Sequence, residues 1–159
     1  MSEILGTLFK YLAQIMGVGA ILGIAYVAFG SNKSSNAITD LNQLTTSVQA
    51  LYASQNSFAS LTSTVAVNGK LAPQRMISGT SLVNPWNGAN TIAADTNPTL
   101  FDVTMAGVPA DGCNKLATST TPVALTINAA AVTLPVDAGA AVTACSSATS
   151  NTLVFTFGR

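Results

Sequence analysis

The residues of this 159-residue sequence that could carry out chemistry are six carboxylates, two cysteines and many hydroxyl side chains, with no histidine. Histidine is the commonest general base and the commonest metal ligand, so its absence removes two routes to an active site. The sequence contains neither a glycine-rich phosphate-binding loop nor a G-x-S-x-G nucleophile motif. We therefore expect no enzyme: no catalytic residues, no cofactor-binding residues and no metal site.

The two cysteines, Cys113 and Cys145, are the other candidates for chemistry. If this part of the chain lies outside the cytoplasm, an even pair predicts one disulfide, whose loop closure contributes about 3–4 kcal/mol. The alternative is a pair of buried free thiols. A metal or redox site is disfavoured, because the two residues are far apart in sequence and no histidine accompanies them.

The chain is unusually poor in charge. Charged residues make up 8% of it, against roughly 25% in a typical soluble domain, and six basic and six acidic side chains cancel. No basic stripe exists, which argues against nucleic-acid binding. A neutral surface is poorly protected against association, so it suits a protein that is covered by copies of itself.

An uncharged run over residues 11–29 lies between Lys10 and Lys33, with Gln14 as its only strongly polar side chain. As a helix it would span about 30 Å, the thickness of a bilayer core. Three interpretations are open: a cleaved signal peptide, a single-pass membrane anchor, or a helix that sits first in a membrane and later in a bundle of identical helices. The length of the run and the acidic Glu3 before it disfavour the signal peptide.

Glycines in this run bear on how such a helix would pack. Gly19 and Gly23 form a small-residue face on which another helix can approach closely. Together with Gly17 they also weaken the helix, each by about 1 kcal/mol relative to alanine. Local unwinding between Gly17 and Gly23 is therefore expected in a bundle of copies, and a continuous helix is the alternative.

A second helical pattern follows a polar joint at residues 30–36. Its apolar residues recur three or four positions apart: Ala37, Leu41, Leu44, Val48 and Leu51. The spacing predicts an amphipathic helix over about residues 34–57, with Asp40 on its polar face. The apolar stripe needs a surface to cover, and only the rest of the chain can provide one.

Beyond residue 60 the hydrophobic pattern changes to a period of two, which indicates strands. The predicted strands are residues 64–67, 100–105, 123–127, 131–134 and 153–157. Asn68-Gly69 predicts a hairpin turn, and Asp111-Gly112 another turn. Asp95 and Asp111 are expected to cap turns, Asp137 is assigned no chemistry, and Asp102 is expected on a solvated strand face.

These patterns predict an α+β protein: a long N-terminal helix, apolar and then amphipathic, packed on a C-terminal antiparallel sheet. Residues 1–30 would form the apolar helix and residues 31–159 the globular part, strand-rich over 60–159. The only tryptophan, Trp86, lies in Asn84-Pro85-Trp86-Asn87-Gly88. We expect it to be a structural anchor, and an exposed adhesive ring is the alternative.

The order of these features resembles the type IV pilins of the type IVb class, and within it the PilS-type subunits of thin pili used by conjugative plasmids and some enteric pathogens. The resemblance covers nearly the whole chain. The matching pieces, in order, are residues 84–88, Phe101, Gly107-Val108-Pro109, Cys113 with Lys115-Leu116-Ala117, Cys145 and residues 151–155.

The resemblance implies a structural subunit that is inserted in the bacterial inner membrane, loses a leader to a prepilin peptidase, and is extruded by the pilus assembly machinery. Its product would be an extracellular helical polymer of identical copies that serves adhesion, aggregation or conjugative mating contact. Host cells, recipient cells or phage would be its external partners. The resemblance also implies that Glu3 meets the amino terminus of a neighbouring subunit, and it carries an expectation of methylation. Met1 is then the mature N-terminus.

Two other functions are compatible with the same pattern. A minor or tip pilin would act as a receptor-binding adhesin, and a single-pass anchored periplasmic protein would act as a binding module. Abundance in sheared fibres distinguishes the major subunit from both.

Overall fold

An antiparallel sheet of seven strands, with one long helix packed against it, organises the described part of the chain. The computed structural model describes residues 32–159, of which Lys33–Arg159 forms one compact unit. The helices are α1 (32–51), α2 (Ser63–Asn68), α3 (Ala110–Ser119) and α4 (Ala138–Ala144), with a 3-10 helix at Gln74–Met76. The strands are β1 (Ile77–Ser78), β2 (Ser81–Val83), β3 (Ala89–Ala94), β4 (Phe101–Val108), β5 (Ala124–Ile127), β6 (Ala130–Val132) and β7 (Asn151–Phe157). The predicted α+β class, with its helix and antiparallel sheet, is confirmed.

Helix α1 buries most of the apolar stripe that its sequence predicts, but Leu51, the last residue of that stripe, is 47% exposed. Ala37, Leu41, Leu44 and Val48 are fully buried and belong to one core cluster with the inner face of the sheet. The described helix ends at residue 51 rather than at about residue 57. Phe58 is not part of the helix, because it is held against the sheet. Its N–H donates to the Pro98 carbonyl, and its ring lies 4.8 Å from that of Phe101 in β4.

The strands follow the order β1-β2-β3-β4-β7-β5-β6, and every pairing is antiparallel. The latest strand in the chain, β7, therefore lies between β4 and β5. Side chains alternate strictly along β7, so that Leu153 and Phe155 are fully buried while their neighbours are partly exposed. Phe101, Val103 and Met105 of β4 alternate in the same way. This period of two is the signal that allowed β4, β5, β6 and β7 to be predicted.

The strand predicted at residues 64–67 is wrong, because this segment forms α2. The Thr62 side chain accepts a hydrogen bond from the Val65 amide and caps the helix, and the Gly69 N–H donates a hydrogen bond to the Val65 carbonyl at its end. Asn68-Gly69 is therefore a helix terminus and not a hairpin turn. A threonine cap before a short β-branched run is stronger locally than the strand preference of its valines.

Asp111-Gly112 is also not a turn, since both residues lie in the first turn of α3. Acidic residues are favourable at that position because of the partial positive charge of a helix N-terminus. Strands β1, β2 and β3 and helices α3 and α4 carry no prediction from the sequence. They are short or rich in small residues, so neither hydrophobic period is expressed clearly in them.

Candidate assembly surface

The residues with the most direct predicted role in assembly, Met1, Glu3, Gly17, Gly19 and Gly23, lie outside the described residues. Their roles stay predictions. Over residues 32–159, none of the helices has both the length and the apolar character needed to cross a membrane.

The disulfide expected between the two cysteines is present in the structure. Cys113 lies in α3 and Cys145 follows the end of α4, with their Cα atoms 5.8 Å apart. Both side chains are buried. The bond fixes the two helices to each other, and the chain between them, including the β5–β6 hairpin, forms a closed loop on the sheet.

The segment that the disulfide closes has a neutral, partly apolar surface. Between Lys115 and Arg159 the only charged residue is Asp137, and its carboxylate caps α4 by accepting from the amides of Gly139 and Ala140. Val123 and Val142 are 61% and 62% exposed. Two copies of this surface would not repel each other electrostatically. This agrees with the expectation, drawn from the composition, of a protein that associates with itself.

Trp86 is half-buried and packs against the core and against α3. A Cβ atom added to Gly112 of α3 would lie 2.5 Å from the indole ring, so the glycine is what lets the ring approach the helix. Its placement joins the loop of residues 84–88 to α3. That geometry supports the interpretation of Trp86 as a structural anchor over that of an exposed adhesive ring.

Asn84 organises the loop that presents Trp86. Its buried amide donates to the Asn90 side chain and to the Ala106 carbonyl, and its oxygen accepts from the backbone amides of Trp86 and Gly88. The buried polar groups of Asn84 are therefore all hydrogen-bonded. An unpaired amide in this position would lower the free energy of unfolding by about 1–3 kcal/mol. Sequence reasoning had no signal for this network beyond the turn-forming composition of the loop.

Asp40, which the sequence places on the polar face of α1, is buried in the structure. Its side chain is 2% exposed, and its carboxylate accepts a 2.6 Å hydrogen bond from Nε of Arg75 in the 3-10 helix. A buried carboxylate requires a partner because its desolvation is costly. The ion pair therefore ties α1 to the segment that leads into β1.

Two further carboxylates lie near each other beside the β3–β4 connection. Hydrogen bonds from the Asn97 amide and the Thr96 hydroxyl hold the pKa of Asp95 below its ordinary value. Burial raises the pKa of Asp102, and the negative charge of Asp95 raises it further, although the Thr156 hydroxyl donates to Asp102 and acts in the opposite direction. In the described range 32–159, acidic residues and cysteines form no group that could hold a metal ion.

The raised pKa of Asp102 predicts a pH-dependent effect of Asp102→Asn. The folded state binds the Asp102 proton more tightly than the unfolded state, so the wild-type carboxylate lowers stability once pH exceeds both pKa values. We expect the variant to be more stable than wild type at pH 7, by well under about 1 kcal/mol because the site is partly solvated. The advantage should disappear as pH falls below the ordinary pKa of aspartate, in urea unfolding followed by circular dichroism.

Asp111→Asn is the control for this experiment, because Asp111 is exposed and favours the N-terminus of α3. It should lower stability at pH 7 by about 0.3–1 kcal/mol, opposite in sign to Asp102→Asn. A loss of stability in Asp102→Asn at pH 7 would show that the hydrogen bond from Thr156 outweighs the burial of the charge.

The fold places this protein in a known structural class. The crystal structure of a type IVb pilin from Salmonella typhi aligns with a TM-score of 0.64 at 22% identity, over 79% of this chain and 99% of that one. TcpA, a type IV pilin from Vibrio cholerae El Tor biotype, aligns with a TM-score of 0.55 at 15% identity, over 79% and 98%. The described residues thus have a type IV pilin fold.

The family is given by the sequence itself. The family model described as PilS N terminal matches residues 31–158, and the chain belongs to this family of type IVb pilins. The major structural subunit of bundle-forming pilus from Escherichia coli O127:H6 (strain E2348/69 / EPEC) is 32% identical over 95 residues. The same subunit from Escherichia coli O111:H- matches equally. That alignment covers 57% of this chain and 49% of each relative, so the chain spans about half the length of the curated relatives it matches.

Proposed function

We propose that this protein is the major structural subunit of a type IVb pilus and polymerises through its N-terminal helix into a surface filament. The observation that carries the proposal is the PilS match over residues 31–158, which includes all but the last residue of the compact unit. The relatives described as major structural subunits of bundle-forming pilus support the same role. The filament would serve adhesion, aggregation or mating contact with recipient or host cells.

The apolar run at residues 11–29 provides the physical basis for polymerisation. Such a helix is stable in lipid before assembly, and in a filament copies of the helix can bury one another. Burial of apolar surface contributes about 25 cal/mol per Å², so a bundle of these helices would be strongly held. We propose an inner-membrane stage, cleavage by a prepilin peptidase and delivery by the assembly machinery before the subunit reaches the extracellular fibre.

Glu3 is the residue we propose for recruitment of each new subunit. A carboxylate within a bundle of apolar helices is costly unless it is paired, and the amino terminus of the adjacent copy is a suitable cation. A carboxylate that merely stabilises the N-terminus of its own helix is the alternative, worth about 0.3–1 kcal/mol.

The filament experiment compares Glu3→Ala with Ser2→Ala in cells that carry the complete assembly machinery. Glu3→Ala should leave the subunit in the membrane fraction and reduce sheared fibre by about tenfold or more, the ratio that corresponds to 1.4 kcal/mol. Ser2→Ala should assemble normally. Normal fibre yield from Glu3→Ala would refute the recruitment role. Sheared wild-type fibres that contain this chain only as a trace component would refute the major-subunit role and favour a tip adhesin or an anchored binding module.

A further inference from the structure

The loop that carries Cys145 is held from both sides by side chains that do not belong to the disulfide. The Ala144 carbonyl, directly before the cysteine, accepts a 3.0 Å hydrogen bond from the amide of Asn128. Ser147 lies two residues after the cysteine. Its backbone N–H donates a 3.1 Å hydrogen bond to the side-chain oxygen of Asn151, and its carbonyl accepts a 2.7 Å hydrogen bond from the Asn151 side-chain amide. Cys145 therefore lies in a short segment that is fixed at both ends.

Of the two asparagines that hold this segment, Asn128 and Asn151, Asn151 is the buried one. It is fully buried at the start of β7, and its amide also donates a 3.0 Å bond to the Val108 carbonyl at the end of β4. Its oxygen accepts from Asn128 as well as from Ser147. Every donor and acceptor that an asparagine side chain offers is thus used, so the loop is fixed to the paired strands β4 and β7.

Asn128 connects the same network to the β5–β6 hairpin. It lies in the two-residue turn between these strands with a φ of 51°, a conformation that asparagine tolerates better than most residues. Its amide divides between Ala144 and Asn151, and its oxygen accepts from the Thr152 amide. Asn128 is held by the β5–β6 hairpin and Asn151 by β7. The hydrogen bonds between these strands do not depend on the disulfide.

We propose that Asn128 and Asn151 are positioning residues for the Cys113–Cys145 pair: they hold the Cys145 loop beside α3 while the two cysteines are still thiols. We call these two asparagines, with their hydrogen bonds to the Cys145 loop, the clasp. The clasp raises the effective concentration of one thiol at the other, because the loop is already ordered before the disulfide forms. The bond and the clasp stabilise each other by the same amount, since each is favoured by the loop conformation that the other requires.

With glutathione disulfide as the oxidant, the chemistry has two exchange steps. One protein thiolate attacks glutathione disulfide, forms a mixed disulfide and releases one glutathione. The second protein thiolate then attacks the protein sulfur of that mixed disulfide, forms the Cys113–Cys145 bond and releases the second glutathione. Two protein thiols are oxidised, one glutathione disulfide is reduced to two glutathiones, and the thiol protons pass to the released thiolates. The clasp acts on the second, intramolecular step.

The test measures the equilibrium between reduced and oxidised protein in glutathione buffers, with the 159-residue chain in detergent micelles and mass spectrometry after acid quenching. Asn128→Gly keeps the positive φ accessible and removes only the side chain. Asn87→Gly is the matched control, because Asn87 also lies in a turn at positive φ and, among residues 32–159, has no side-chain hydrogen bond partner. Asn128→Gly should lower the effective thiol concentration about fivefold, and Asn87→Gly should leave it within twofold.

A purely structural role would not produce this result, because a loss of overall stability shared by the reduced and oxidised proteins leaves their ratio unchanged. Equal ratios in Asn128→Gly and Asn87→Gly would overturn the proposal. A second measurement uses the Cys113→Ser/Cys145→Ser double variant, in which hydrogen exchange at the Ser147 and Thr152 amides should stay slow. Rapid exchange at both amides, with β4 still protected, would show that the loop depends on the disulfide and would overturn the proposal independently of Asn128→Gly.

Discussion

Gly88→Ala is expected to destabilise the protein by about 3 kcal/mol. Gly88 lies where the loop of residues 84–88 crosses β4, and an added Cβ would overlap the Ala106 carbonyl oxygen and approach Nδ2 of Asn84 to 2.8 Å. The same Ala106 carbonyl accepts a hydrogen bond from the buried Asn84 side chain, so the loop and the strand must separate and the Asn84 bonds must be lost. Urea unfolding followed by far-UV circular dichroism measures the difference.

Gly79→Ala is the control, since Gly79 has a φ of 62° but no neighbour within 4 Å of an added Cβ. It should cost about 1 kcal/mol, the penalty of the backbone conformation alone. Equal losses in the two variants would mean that the close approach of Gly88 to β4 contributes nothing. In Gly88→Ala the fluorescence of Trp86 should also shift toward that of an exposed indole, because its loop no longer holds it against Gly112 of α3.

Arg75→Met is expected to destabilise the protein by about 2–3 kcal/mol. Methionine replaces the aliphatic part of the arginine side chain but not its guanidinium. The carboxylate of Asp40 is then buried without its cation. Removal of one partner from a fully buried ion pair costs about 3–5 kcal/mol, and the expected value is lower here because the Arg75 side chain is 54% exposed. Thermal and urea unfolding at neutral pH provide the measurement.

Two variants separate the ion pair from the loss of a positive charge. Lys70→Met removes an exposed lysine from the same connection between α2 and the 3-10 helix and should change stability by less than about 0.5 kcal/mol. Asp40→Asn combined with Arg75→Met should regain most of the loss, because a neutral amide is cheaper to bury than an unpaired carboxylate. A double variant as unstable as Arg75→Met would show that packing of the arginine, and not its charge, holds the segment.

The parts of the fold that could be predicted are those in which one hydrophobic period persists over many residues. The stripe of α1 and the alternation in β4 and β7 are of this kind. Residues 63–68 show why the rest failed, because six residues satisfy the pattern of a strand or of a helix equally well. The N-terminal cap provided by Thr62 favours the helix, and the structure shows this cap as a hydrogen bond from the Val65 amide.

Side-chain networks were beyond prediction for a different reason. The position of Asp40 in the helical repeat indicated a polar face, but Arg75 approaches that face from a distant part of the sequence and buries it. The roles of Asn84 and Asn151 depend equally on carbonyl groups of β4 that only tertiary structure brings near. The cysteine pair could be predicted because its chemistry allows a single pairing.

The position of β7 has a consequence for the order in which the sheet can form. Until residues 151–157 emerge, β4 and β5 have no strand between them, and each presents an open hydrogen-bonding edge. Insertion of the final strand joins the two halves of the sheet in one step and also supplies Asn151 to the Cys145 loop. A chain truncated before residue 151 therefore cannot close its sheet, and its two open strand edges expose it to proteolysis and aggregation.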